Sequence, residues 1–304
     1  MGYSGWVPSH YESRSYSRRS MSTHEIREKV FSIKLHPSLS PHGVQVRESR
    51  DSGNHPESNA IGVFFDVTGS MGGIPAHFAA HKLGGLMAML STEKVIPHPQ
   101  VLFGAIGDAI HDTTPFQVGQ FESGIEMDDC LTKVFIEQGG GGDVEESYGL
   151  AHYFFSRHTA IDCFEKRNKK GYLFTLGDEK AHDRITVAQA KQIFGDTLQS
   201  DVWLADAIQA AKERYHVFHI VVGGGSSHGN DPAIMRFWKE LLGQHVLKLD
   251  DPNNVCEMIA ATIGINEGRA IDAMESVLVS GGASKRVADT VTQALGPLYE
   301  SLTV

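Results

Sequence analysis

Asp66-Val67-Thr68-Gly69-Ser70 is the stretch whose residue types and spacing could do chemistry. Asp66, Thr68 and Ser70 alternate with Val67 and Gly69, so a tight strand-to-helix turn can aim three oxygen-bearing side chains at one spot. A hard divalent cation, which takes oxygen ligands and keeps several waters, accepts such a set. Two later stretches carry acids. Gly139-Gly140-Gly141-Gly142 frees the backbone to pass close to a metal before Asp143, Glu145 and Glu146. Asp178 closes the apolar run Leu173-Phe174-Thr175-Leu176-Gly177. Capping is the plainer account of the second stretch, because Asp143 is an ordinary N-cap and Glu145 and Glu146 suit a helix first turn. The four glycines in front of those acids are what capping leaves unexplained.

The elements that must position these residues follow from apolar patterning. Ile61 to Phe65 is apolar throughout except for Gly62, as in a strand buried on both faces of a parallel sheet. Further strands are expected at 100–106, 171–176, 216–222 and 245–249, with an antiparallel edge strand at 116–121. Helices are expected at 74–91, 128–138, 148–157, 186–194, 202–215, 232–242 and 255–263. Strands alternating with helices in this way imply an α/β fold with a doubly wound, mostly parallel sheet and one antiparallel edge strand. Ligands bind such sheets at the carboxyl ends of strands, at a topological switch point. Asp66, the acids after the glycines and Asp178 all fall at that edge, which is expected to face solvent, so that replacing Asp66 by alanine leaves the fold intact.

The pattern Asp-x-Thr-x-Ser after an apolar strand, then Gly-Gly-Gly-Asp-x-x-Glu, then an acid closing a later strand, resembles the von Willebrand factor type A (vWA) domain and its metal-ion-dependent adhesion site (MIDAS). The likeness spans roughly residues 59 to 263 and is nearest to the alpha-kinase-associated and bacterial kinds. It implies a vWA, Rossmann-like fold that holds Mg²⁺, with Mn²⁺ or Ca²⁺ as substitutes, at Asp66, Thr68, Ser70 and Asp178. The family's second-loop threonine is replaced here by an acid, which leaves that ligand open between Asp143 and Glu146. In the resembled family an open position on the ion accepts a carboxylate from a partner protein, and similar bacterial proteins work beside AAA+ ATPases. The expected function is therefore a metal-dependent protein-binding module, an adaptor or assembly factor without catalysis of its own. The alternatives are a metal-assisted hydrolase or phosphotransferase using Asp66, and a structural subunit with a relic site. Against the hydrolase, Asp66 lacks the second acid of an aspartyl phosphatase two residues on.

Composition bounds the partners. Over 304 residues the formal charge is −10 and the isoelectric point is about 5.9, which argues against a nucleic-acid groove. Cys130, Cys163 and Cys256 are too few, too scattered and odd in number for a disulfide framework. With no apolar run of membrane length and no signal-peptide core, a cytoplasmic protein is expected, with no membrane partner. Residues 1–28, rich in Ser, Tyr and Arg, read as a flexible or partner-docking arm, and 29–58 as a lead-in. The vWA-like domain then takes 59–265, and 266–304 form a C-terminal helical extension. Other chemistry-bearing residues have plain explanations. His77 and His81 lack the Glu of a His-Glu-x-x-His site, turn chemistry accounts for Asp108 and Asp112, and Gly223 to Gly229 matches no phosphate-binding loop.

Overall fold

A computed structural model describes residues 4–18, 20–137, 139 and 145–303. Its centre is a six-stranded sheet: β1 (Asn59–Asp66), β2 (Pro99–Ile106), β3 (Phe116–Val118), β4 (Gly171–Gly177), β5 (Tyr215–Val222) and β6 (Val246–Leu249). The spatial order is β6-β5-β4-β1-β2-β3, with all pairs parallel except β3, which runs antiparallel to β2 at the edge. The order reverses between β1 and β4. Helices cover both faces, which is why the central strands read as unbroken apolar runs.

Alternate residues of β1 serve opposite faces. Ile61, Val63 and Phe65 join one apolar cluster, whereas Ala60 and Phe64 join the other. Gly62 belongs to the second face: a Cβ there would lie 2.2 Å from the Phe155 ring, so the strand gives up a side chain to admit that ring. In chain order the helices are α1 (Pro8–Tyr16), α2 (Thr23–Lys29), α3 (Ile74–His77), α4 (Leu86–Thr92), α5 (Glu126–Thr132), α6 (Gly149–Arg157), α7 (Asp162–Arg167), α8 (Val187–Ile193), α9 (Leu204–Lys212), α10 (Pro232–Leu242), α11 (Val255–Asn266), α12 (Ile271–Ser280) and α13 (Lys285–Thr303). Residues from α4, α5, α11, α12 and α13 line the first cluster, and residues from α6, α8, α9 and α10 the second. Among the described residues no helix is long and apolar enough to cross a membrane.

Several expectations meet differences. The helix expected over 74–91 is interrupted: a π turn (Phe78–Lys82) and a 3₁₀ turn (Leu83–Gly85) separate α3 from α4. A Cβ at Gly84 would lie 2.4 Å from the Tyr11 ring, so this helix and the N-terminal segment are fitted to each other. That segment is two helices packed on the chain's own core, with Ile26 only 1% exposed. Arg18 donates to both carboxylate oxygens of Asp128 at 2.6 and 3.0 Å in a buried pair, and Arg14 pairs with Asp129. Residues 271–303 likewise bury Met274, Leu278, Val291, Leu295 and Leu298 in the first cluster. No helix starts at 145: Glu145–Glu146 pairs in parallel with Lys180–Ala181, and α6 begins at Gly149. The first-turn reading of Glu145 and Glu146 is thereby corrected, and Asp143 lies outside the described residues.

Candidate functional site

Strand register delivers the acids to one level. Phe65 pairs with Leu176 on one side and Asp66 with Ile106 on the other, so the segments beginning at Asp66, Gly177 and Gly107 leave the sheet together. The order reversal between β1 and β4 falls between Asp66 and Asp178, where neighbouring crossovers diverge and leave a crevice.

Within that crevice four oxygen-bearing side chains form one chain. Asp66 Oδ1 accepts from the Thr68 backbone N–H at 2.8 Å and from Thr68 Oγ1 at 2.6 Å. Thr68 Oγ1 lies 3.3 Å from Ser70 Oγ, and Ser70 Oγ donates to Asp178 Oδ1 at 2.7 Å. Asp178 Oδ2 accepts from the backbone N–H groups of Ser227 and His228 at 3.1 and 3.0 Å. The Ser227 N–H and Oγ also reach the Ser70 carbonyl, both at 3.0 Å. Gly69 N–H donates to the Gly139 carbonyl at 2.8 Å, so the head of the glycine run touches the turn that carries Thr68 and Ser70.

Asp66 is not at a solvent-facing edge. It is 0% exposed, and its Oδ2 accepts from the Tyr148 hydroxyl at 2.5 Å. Burial pushes its pKa up to about 7, against the pull of the Thr68 and Tyr148 hydrogen bonds and with help from the charge of Asp178. An alanine at this position therefore leaves the Tyr148 hydroxyl and the Thr68 N–H without their acceptor. Tyr148 is itself fixed, edge-on to His219 and Trp238 at 5.1 and 5.5 Å.

Glu146 reaches the same neighbourhood through its short pairing with the segment after Asp178. Its side chain is 3% exposed, and its Oε2 has no hydrogen-bond partner. Burial, then the negative charges of Asp66 and Glu179, push its pKa up to about 11. Glu179 is a participant that spacing alone does not single out. It is buried and 3.3 Å from His228 Nε2, and its carbonyl accepts from Trp238 Nε1 at 3.0 Å. Asp108, for which turn chemistry is the plain account in the sequence, also lies in this neighbourhood: burial pushes it up, but His182, the Ile110 N–H and His111 outweigh that and hold it down to about 2.

Among the described residues no group of three or more His, Cys, Asp and Glu side chains is arranged to hold a metal. The set formed by Asp66, Thr68, Ser70 and Asp178 is of another kind, two carboxylates and two hydroxyls, all hard oxygen donors of the type magnesium takes. Among the described residues no lysine, arginine or histidine forms an ion pair with Asp66, Glu146 or Asp178. Among the described residues these buried acids thus have no cationic side chain paired with them, and a cation fits them.

No protein-family model matches the chain, and no curated protein matches it in sequence. Solved structures are similar at low identity. The pilus adhesin SpaC from Lactobacillus rhamnosus GG, in its open conformation, aligns with a TM-score of 0.49 at 9% identity, over 72% of this chain and 31% of the adhesin. Proximal thread matrix protein 1 from the mussel byssus aligns with a TM-score of 0.39 at 11% identity, over 72% of this chain and 49% of that protein. The chain therefore spans under a third of the adhesin and about half of the thread protein.

Proposed function

We propose that this chain is a protein-binding module of the vWA kind, which holds a divalent cation, Mg²⁺ before Mn²⁺ or Ca²⁺, at Asp66, Thr68, Ser70 and Asp178. The observation that carries the reading is the continuous run of oxygens from Asp66 to Asp178 at the switch point, with no cationic side chain paired to it among the described residues. The strand order and the antiparallel edge strand support the finer fold assignment. A cation bound there supplies an open coordination position for a carboxylate of a partner protein.

The chain's own residues divide the remaining work. The Thr68 N–H and the Tyr148 hydroxyl orient Asp66, while the Ser227 and His228 N–H groups orient Asp178. These fixed donors keep both carboxylates turned toward Thr68 and Ser70 before any ligand arrives, which lowers the cost of ordering them. Glu146 lies behind Asp66 as an acid whose charge is suppressed by its surroundings, a reserve that ionises only beside added positive charge. We assign the partner as a protein presenting an acidic residue, with an AAA+ ATPase as the candidate assembly, and the compartment as the cytoplasm. Three free cysteines support that compartment.

Calorimetric titration of the chain with MgCl₂ and MnCl₂ tests the reading. One site per chain is expected, lost in Asp178→Asn, and a glutamate-bearing partner should be retained only in its presence. Absence of saturable binding at millimolar metal overturns the assignment.

A further inference from the structure

The opposite pole of the sheet carries a cavity of about 480 Å³. It opens beside Pro99, the first residue of β2, whose neighbour across the ladder is Asn59 at the start of β1. Asp66 lies at the far end of that strand, about 23 Å away at the usual rise per residue. The volume falls within the range of small-molecule pockets, roughly 300–1,000 Å³. Trp6, Met87, Ile96 and Pro97 supply apolar wall, and His55 and Lys94 supply polar groups.

Three features distinguish this cavity from a packing defect. First, two ring nitrogens in its walls, Trp6 Nε1 and His55 Nδ1, are buried without a hydrogen-bond partner. His55 is 9% exposed, and its Nε2 lies 2.8 Å from the Ser4 carbonyl. A carbonyl only accepts, so Nε2 carries the proton and Nδ1 of the neutral ring is an acceptor that nothing meets. A buried polar atom left unpaired destabilises the fold unless a ligand meets it. Second, Lys94 and His98 take positive φ, +51° and +43°, although neither is glycine, a strained backbone that persists only where its surroundings impose it. Both residues line the cavity. The Arg269 guanidinium on the Lys94 carbonyl and the Asn59 N–H on the His98 carbonyl hold this wall in place. Third, Lys94 is exposed and, among the described residues, its ammonium forms no ion pair.

We propose that this cavity binds a small amphipathic anion, with an aromatic or aliphatic body against Trp6, Met87, Ile96 and Pro97 and a carboxylate or sulfonate at Lys94. A polar group on that body meets the unpaired nitrogens of Trp6 and His55. Because Trp6 belongs to the N-terminal segment, His55 to the loop before β1, and Met87, Lys94, Ile96 and Pro97 to α4 and the loop before β2, the bound molecule ties that segment to the sheet. The site is independent of the metal reading.

The test is a titration of the full chain with 8-anilinonaphthalene-1-sulfonate in excess EDTA, with decanoate and decanol as competitors. One probe per chain is expected, displaced by decanoate, with quenching of tryptophan emission that disappears in Trp6→Phe. Ser91→Trp, which fills the cavity from α4, should weaken the probe at least tenfold. Lys94→Gln should weaken decanoate about tenfold, the size of one charge-assisted contact, and leave decanol unchanged. Absence of saturable binding, or an unchanged decanoate affinity in Lys94→Gln, overturns the proposal. Lys94 is on the surface, so that arm stands even if Ser91→Trp does not fold.

Discussion

Replacing Ser70 by alanine separates a metal ligand from a structural hydroxyl. Ser70 Oγ donates to Asp178 Oδ1 at 2.7 Å and approaches Thr68 Oγ1 at 3.3 Å. Its loss removes one hydrogen bond, but Asp178 keeps two backbone donors on Oδ2 and Thr68 keeps its bond to Asp66. Asp178 Oδ1, on a carboxylate that is 0% exposed, is left without its hydroxyl donor, so the stability cost is that of an unpaired buried acceptor, about 1–3 kcal/mol. At about 2.1 cal/mol/K per residue and 304 residues, the unfolding entropy is about 0.6 kcal/mol/K, which turns that cost into a drop in Tm of about 2–5 °C. Metal affinity should fall at least tenfold, because a direct oxygen ligand is gone. Differential scanning calorimetry of the apo protein and isothermal titration with MnCl₂ read the two quantities separately. Unchanged manganese affinity would falsify the assignment of Ser70 as a ligand. A Tm loss above about 5 °C, roughly 3 kcal/mol on the same scale, would make the hydroxyl a structural brace instead.

Three further outcomes test the surrounding frame. Arg18→Ala strands Asp128 in a buried pair, so a loss of about 3–5 kcal/mol is expected in urea unfolding, recovered in large part by Arg18→Leu/Asp128→Leu; a change under 1 kcal/mol would return the N-terminal helices to the status of a loose arm. Gly177→Ala sets a Cβ 1.7 Å from the Tyr148 hydroxyl, which His219 and Trp238 hold in place, so a loss of about 1–3 kcal/mol and weaker metal binding are expected by the same two calorimetries. His152 is buried and its pKa is pushed down by that burial from 6.5 to about 4; the unfolded chain then binds the extra proton, so its contribution is intact above pH 6.5 and is lost as pH falls toward 4. From the linkage relation the stability gap between wild type and His152→Leu should narrow by about 2 kcal/mol between pH 7.5 and pH 5, and a gap independent of pH would show that the ring is not buried neutral.

What the sequence discloses about this molecule is what short-range rules govern. Asp66, Thr68 and Ser70 meet because their spacing within one turn makes them meet, and Asp178 joins them because it closes a strand adjacent to β1. The strands of the sheet are legible because both faces are covered, so each is dominated by apolar residues. Local patterns fail where a partner far away in sequence decides. Tyr148 reads as one apolar residue of a helix, but across 82 residues it is the donor to Asp66. The loop after β5 reads as a flexible rim, yet it supplies both backbone donors to Asp178, and only the glycines and the two serines hint at a chain that must run close to something. Glu146 resembles a first-turn acid, until a two-residue pairing with Lys180–Ala181 turns it inward. The composition of residues 1–28 suggests little that could be buried, and Arg18 contradicts it because a buried guanidinium needs only one well-aligned carboxylate.

The acids at the switch point are best understood by how each has its charge disposed of. Asp108 is answered by His182 and His111 and stays ionised, held down to about 2 against its burial. Asp178 is answered by two backbone N–H groups and Ser70, neutral donors that leave its net charge in place. Asp66 receives Thr68 and Tyr148 and is still pushed up to about 7, so donors alone do not settle it. Glu146 is pushed to about 11 by burial and by Asp66 and Glu179, so that among the described residues the crowding is relieved by neutralising an acid and not by a paired lysine or arginine. A site built only for stability would replace Glu146 with an apolar residue, since a buried acid kept protonated returns little for its desolvation. Its presence near Asp66 and Asp178 makes physical sense where a positive charge enters from outside, as the proposed cation would.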